Sequence, residues 1–232
     1  MTRREEAKAR RRAAIIAAAR SLIKEGDTEK GELSMRRLAA RAAVSVTTVY
    51  NLFGSKQALM IGVLNDDHTA YREWFGRVRS PDPIERFFDA IVLAKQLYAS
   101  EPNFYKSVQF SVYNGYAREL RLALLGPRHS FLEDLVREAV HLGAIDTSVN
   151  IAAFGNHLNS IFRWAVLSWA LSDVSLDQLE AEIGYGFCAA LLPLVGGGDA
   201  EILKAKMAGY AVHVAPTLDS TTRVSNRILT PA

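Results

Sequence analysis

A single cysteine, Cys188, stands in 232 residues. That excludes a disulfide framework and any cysteine-ligated metal cluster, and it fits a reducing compartment. Long apolar runs are missing as well. The longest, IGYGFCAALLPLVGGG, is short for a membrane span and contains Pro193. No apolar core and small-residue cleavage site follow the arginine-rich start, so no leader peptide is expected and the cytoplasm is the expected location. Alternating strand patterns of useful length and internal repeats are absent. So are a phosphate-cradling glycine loop, a zinc-binding helix motif and a nucleophile motif beside a base. The expectation is a protein that is not an enzyme and that needs neither metal nor cofactor.

What is present is unevenly charged. The whole chain has 28 Lys+Arg against 25 Asp+Glu, which says little about partners. Residues 1–56, however, hold 13 basic and 6 acidic side chains, net +7, leaving the rest at net −4. A basic N-terminal quarter on an acidic body suits a polyanion-binding module carried by a separate domain. Hydrophobic residues make up 49% of the chain, enough for a substantial core.

Helical periodicity accounts for nearly all of the sequence. Ile15, Ile16, Ala19, Leu22 and Ile23 share the spacing of one helix face, and Gly26 stands where a left-handed C-terminal residue belongs. Ser34 and Ser45 are placed to cap two short helices, and Ser55 a third, long one reaching about residue 79. Pro81, Asp82, Pro83 and Glu85 form the next boundary, with Pro83 at a first helical position. Further helices are expected near 83–99, 103–114, 117–142 with a break at Gly126-Pro127, 148–171 and 176–194. A short amphipathic piece is expected to about 212, followed by a disordered polar tail. Asp66, Asp67 and His68 crowd together in a way that suggests a solvated turn.

The pair of short helices carries the functional argument. Two helices of about two turns each, joined by the tight connection AAVS, cannot bury themselves and need the apolar face of the first helix behind them. With Val44, Val49 and Phe53 turned into that small core, Ser45, Val46, Thr47, Thr48, Tyr50 and Asn51 occupy the exposed N-terminal end and outer face of the second helix. Such a face suits the DNA major groove, where small side chains let the backbone approach and hydroxyls meet phosphates. Lys56, beside free N–H groups at the start of the following helix, adds a phosphate contact. Ser34 and Arg36 complete the expected DNA surface. The tract RREEAKARRR is expected to be an arm whose Arg10, Arg11 and Arg12 reach a minor groove or flanking phosphates.

The segments IIAAARSLIKEG and SMRRLAARAAVSVTTVYNLFGSKQAL resemble the tetracycline-repressor (TetR) family of bacterial transcription regulators. The positions of Ala39, Ala42, Val44, Ser45, Val49, Tyr50, Phe53, Ser55, Lys56 and Leu59 carry the resemblance, which is specific over roughly residues 13–65. It implies phosphate contacts at Tyr50 and Lys56 and groove readers at Thr47 and Thr48. Three features depart from the pattern. Ala43 replaces the usual turn glycine, at a cost of ~1 kcal/mol if a positive φ is kept. The segment DTEKGELS is longer than usual, and Leu52 replaces a common His or Tyr.

The resemblance further implies an all-α protein: a helix-turn-helix domain over 1–56, a helical ligand-binding and dimerisation domain over 57–213, and a tail over 214–232. A cavity in the body is implied, and the side chains singled out for it are Trp74, Phe88, Phe110, Tyr113, Asn114, His129, Asn156 and Asn159. The last two long helices are apolar most of the way round and must be buried on both sides. Pairing with a second copy in a four-helix bundle would achieve that, with Leu158, Ile161, Phe162, Trp169, Phe187 and Leu191 as candidate interface residues. The expected function is a regulator, a repressor binding a palindromic operator as a homodimer and released by a small, largely apolar or aromatic effector. The competing expectation is a helical, dimeric scaffold protein without an effector-controlled DNA switch.

Overall fold

The computed structural model describes residues 2–25, 33–113, 118–172 and 174–214, without the side chains of residue 108 and residues 110–128. These residues form ten α-helices and no strand. The first three are α1 (Arg3–Lys24), α2 (Met35–Arg41) and α3 (Val46–Phe53). α1 begins with a capping box between Thr2 and Glu5. The tract 3–12 is therefore the start of a helix and not a separate arm: Arg10 and Arg11 lie exposed along it, and Arg12 places its guanidinium 4.4 Å over the Phe53 ring. Ile15, Ala19 and Leu22 of α1, Leu38 of α2 and Val49 of α3 are fully buried and form the core that the two short helices share.

The turn between α2 and α3 is a Schellman motif. The N–H of Val44 reaches the Ala39 carbonyl at 2.9 Å and that of Ala43 reaches Ala40 at 3.2 Å, with Ala43 at φ 52°. α3 starts at Ser45, whose side chain accepts from the Thr48 N–H at 3.0 Å. It stops at Gly54, whose φ of 77° a side chain would strain.

α4 (Lys56–Val78) leads from this unit into the body. Near its start Gly62 lets α1 and α3 come close: a Cβ there would lie 3.3 Å from both Arg12 and Phe53. Further along, Tyr71 donates to the Ala90 carbonyl at 2.7 Å, and Phe75 meets Phe131 edge-on at 4.9 Å. Asp66, Asp67 and His68 thus sit in the middle of a continuous helix, not in a turn.

The body comprises α5 (Glu85–Ser100), α6 (Pro102–Tyr113), α7 (Arg118–His141), α8 (Ile151–Leu171), α9 (Leu176–Leu191) and α10 (Gly197–Ala211). Asp82 accepts from the N–H groups of Ile84 and Glu85, so α5 begins at Glu85, with Pro83 in the preceding turn. α7 runs through Gly126-Pro127 without the expected break. Proline removes one helical hydrogen bond, and the other turns of a 24-residue helix hold it together. Pro193 ends α9 instead, in a single 3₁₀ turn over 192–194. α8 packs on α7 and α9, and α10 lies along α9. α10 sits close because residue 184 is glycine: a Cβ there would stand 2.5 Å from the Tyr210 ring. The disordered tail expected from residue 214 lies, beyond Val214, outside the described residues.

Candidate functional site

Two sites emerge, an outer helix face and an interior cavity. On α3, burial of Val49 and Phe53 fixes the rotation of the helix and leaves Ser45, Val46, Thr47, Tyr50 and Asn51 exposed. Thr48 is half-buried, and its hydroxyl lies 2.8 Å from that of Ser45, so these two side chains brace each other at the helix start. Tyr50 is 44% exposed. Arg36 is exposed one residue into α2, and Ser34 occupies its N-cap position without a side-chain cap bond. Lys56 is half-buried in the first turn of α4, where Ser55 accepts from the Ala58 N–H at 3.0 Å. The Arg41 guanidinium grips Glu25 with two bonds of 2.8 Å and, with the Ser21 hydroxyl, lowers that carboxyl to about 2, tying α2 to the end of α1. The arrangement presents small polar groups and one phenol on a convex surface within the basic quarter of the chain. That is a shape and chemistry a DNA groove accepts.

The cavity, about 100 Å³, lies between α4, α5, α6, α7, α8 and α9. α4 contributes Leu64, Asp67, His68 and Tyr71, which fall at i, i+3, i+4 and i+7, with Asn65 beside them. α5 adds Ile91, Ala94, Leu97 and Tyr98, α6 adds Tyr105 and Gln109, and Phe131, Phe162 and Phe187 close the far wall. At the polar end the Tyr105 hydroxyl donates to Asp67 at 3.0 Å, and burial pushes that phenol's pKa up, so it stays a donor. Asp67 also pairs with Arg20 of α1.

Of the eight side chains expected around a ligand, Trp74, Phe88, His129, Asn156 and Asn159 do not line this cavity. Trp74 is 38% exposed near the end of α4. Phe88 is buried beneath Tyr210 and Lys206 of α10. His129 lies 3.7 Å from Glu133 with its Nδ1 buried and unpartnered, Asn156 is exposed, and Asn159 is buried with Oδ1 unpartnered. The side chains of Phe110 and Tyr113, and all of Asn114, lie outside the described residues. The polar residues that do line the cavity were hidden by their neighbours in sequence. Asp67 and His68 follow Asp66 and look like a charged turn, whereas the spacing 64, 67, 68, 71 marks a helix face.

The interface candidates also differ from expectation. Leu158, Phe162, Trp169, Phe187 and Leu191 are buried in the chain's own core and leave almost no surface for an interface. Ile161 remains partly buried. The exposed large apolar side chains of α8 and α9 are Trp164 at 67%, Leu171 and Tyr185.

Residues 15–63 match the model of a family described as bacterial regulatory proteins, tetR family. No curated protein matches the chain. Similar solved structures include FadR of Thermus thermophilus, a TetR-family transcriptional repressor in complex with lauroyl-CoA, at TM-score 0.66 and 19% identity, covering 80% of this chain and 96% of that one. FadR of Bacillus subtilis in complex with stearoyl-CoA has TM-score 0.62 and 19% identity, with coverage of 77% and 97%. SmeT, repressor of the Stenotrophomonas maltophilia multidrug efflux pump SmeDEF, has TM-score 0.61 and 15% identity, with coverage of 81% and 91%. At these identities the likeness is one of fold. No helix among the described residues is long and apolar enough to cross a membrane.

Proposed function

We propose that the chain is a repressor of the TetR family, released from a palindromic operator by a small effector; in support, residues 15–63 match the tetR-family model and the fold is similar to that of a TetR-family repressor over 80% of the chain. The observation that carries this is the outer face of α3: its hydrophobes are buried and its hydroxyls, phenol and Asn51 face outward. In this docking Thr47 and its neighbours enter the major groove, while Tyr50 and Lys56 take phosphates, with Arg10, Arg11 and Arg36 near the flanking backbone. The division of labour follows the chain, with DNA contact up to residue 56, effector binding and dimerisation over 57–213, and α4 joining the two. Two copies paired through α8 and α9 present two α3 helices to successive major grooves, which sets half-sites roughly 34 to 36 Å apart. Such a protein works where the DNA is, in the cytoplasm.

The body supports the effector half of the proposal by its cavity, apolar over most of its wall with a cluster of polar groups at one end, the usual composition of a small-molecule site. Selection of bound duplexes from a random library tests the DNA half. Enrichment of an inverted repeat with one-turn spacing is the expected result. A pool that stays random through successive rounds would overturn it and favour a scaffold role instead.

A further inference from the structure

Asp67 has two allegiances. It belongs to the cavity wall, and it also holds Arg20, which projects from α1 of the DNA-binding domain. Arg20 has a second anchor, because it bonds Glu101 at 2.8 Å and lies 4.7 Å over the Phe104 ring. Lys24, one turn further along α1, reaches the same Glu101 at 3.4 Å. One carboxylate in the cavity wall therefore ties α1 to α4, while Glu101, which is outside the cavity wall, ties α1 to the start of α6.

The remaining wall chemistry points to one class of ligand. Among the described lining residues six carry phenyl or phenol rings, Tyr71, Tyr98, Tyr105, Phe131, Phe162 and Phe187, Asp67 is the one carboxylate, and no Lys or Arg is present. His68 is already engaged, since its Nε2 accepts from Arg72 at 3.3 Å. Aromatic faces attract cations and repel anions. The space, about 100 Å³, is below the roughly 150 Å³ of an apolar cavity that holds benzene, so the body it takes is no larger than about one ring.

We propose that the effector is a compact organic cation, an apolar or aromatic body ending in a protonated nitrogen, which takes Asp67 from Arg20 and so cuts the tie between α1 and α4. The exchange leaves neither charge stranded. Asp67 trades one cation for another, and Arg20 keeps Glu101 and the Phe104 face, while the rings supply the net affinity. A neutral or anionic ligand would have no reason to displace Arg20. The inference rests on the proposed regulator function only in its final step, where the loosened α1 weakens DNA binding.

The test is a charge series of one size: benzylammonium, benzyl alcohol and benzoate, titrated into the full-length protein by calorimetry. Benzylammonium should bind at least about tenfold more tightly than the alcohol, as a charge-assisted hydrogen bond to a carboxylate requires, and benzoate should bind worst. Arg20→Gln, which removes the competitor, should tighten benzylammonium and leave the alcohol unchanged, an effect a merely structural Arg20 would not give. Asp67→Asn should erase the preference for the cation. Equal or better binding of the alcohol or benzoate, binding of none of the three, or weaker benzylammonium binding by Arg20→Gln would overturn the ligand class. On a selected operator, benzylammonium should release wild-type protein. Operator binding that ignores the cation would overturn the coupling alone, whereas failure to select any operator would overturn the regulator function and leave the charge order standing.

Discussion

At the level of single residues, Ala43 shows a local rule broken without loss of the motif. The ends of α2 and α7 use the same Schellman hydrogen bonds, but the left-handed position is Gly143 after α7 and Ala43 after α2, at φ 74° and 52°. A Cβ at φ > 0 costs about 1 kcal/mol, offset in part by the lower entropy of alanine in the unfolded chain. Ala43→Gly should therefore raise unfolding stability by up to about 1 kcal/mol in urea titrations, and Gly143→Ala should lower it by a similar amount. On the DNA side, Lys56→Ala should weaken binding to every sequence and reduce the salt slope by about one unit. Changes at Thr47 should instead alter the preference among sequences. Gel retardation across a salt series separates the two behaviours, and a Lys56→Ala protein with an unchanged slope would contradict the proposed docking. The outward placement of Ser45, Val46, Thr47, Tyr50 and Asn51 was legible in the sequence because the positions of Val49 and Phe53 dictate the helix's rotation, whereas Thr48 is half-buried against Ser45. The cavity residues could not, since an aromatic such as Phe88 looks the same in sequence whether it lines a pocket or packs beneath Tyr210.

Among the elements, helix existence and order were legible in the sequence wherever caps and periodicity agreed. Ser45 and Ser55, both expected as caps, each accept a backbone N–H at the start of their helix, whereas Ser34 makes no such bond. The misreadings came where a local signal competed with the rest of an element. Pro127 suggested a break that α7 does not have, and the arginines of 3–12 suggested an arm where the Thr2 capping box starts a helix. The packing of α10 on α9 was not legible, since it depends on Gly184 facing Tyr210 across 25 intervening positions. That contact sets two effects against each other. Ala is better than Gly inside a helix by about 1 kcal/mol, but a Cβ at 184 would sit 2.5 Å from the Tyr210 ring. Forcing the ring aside, as overpacking does, should dominate, so Gly184→Ala should destabilise by about 1–3 kcal/mol. In a Tyr210→Ala background the same change should become neutral or stabilising. A double-mutant cycle in denaturant measures the sign reversal, and additive effects would show that α10 does not press on α9 there.

For the whole molecule, the question is where a second copy would sit. Doubly apolar α8 and α9 suggested an interface from sequence alone, yet the sequence could not divide their two faces between the protomer's core and its partner. In the structure Leu158 and Phe187 are fully buried, while Trp164 is 67% exposed on α8 and Tyr185 40% exposed on α9. Both belong to one surface depression that also includes Ile161, Ser168, Gln178 and Glu182. Burial pushes the Glu182 pKa up even in the single chain, so its surroundings are already partly dry. A four-helix bundle built on this face would bury the Trp164 indole, and aromatic anchors of that kind carry a large share of interface energy, often 2 kcal/mol or more on truncation. Trp164→Glu should therefore shift the protein from dimer towards a folded monomer in analytical ultracentrifugation, with its helical circular dichroism retained. Phe187→Glu should instead unfold the protomer, because it would bury a charge without a partner. The monomer should lose affinity for a two-half-site duplex far more than for a single half-site, since the second contact no longer comes at a high effective concentration. A Trp164→Glu protein that sediments as the wild type does, and binds both duplexes as the wild type does, would place the partner on another face.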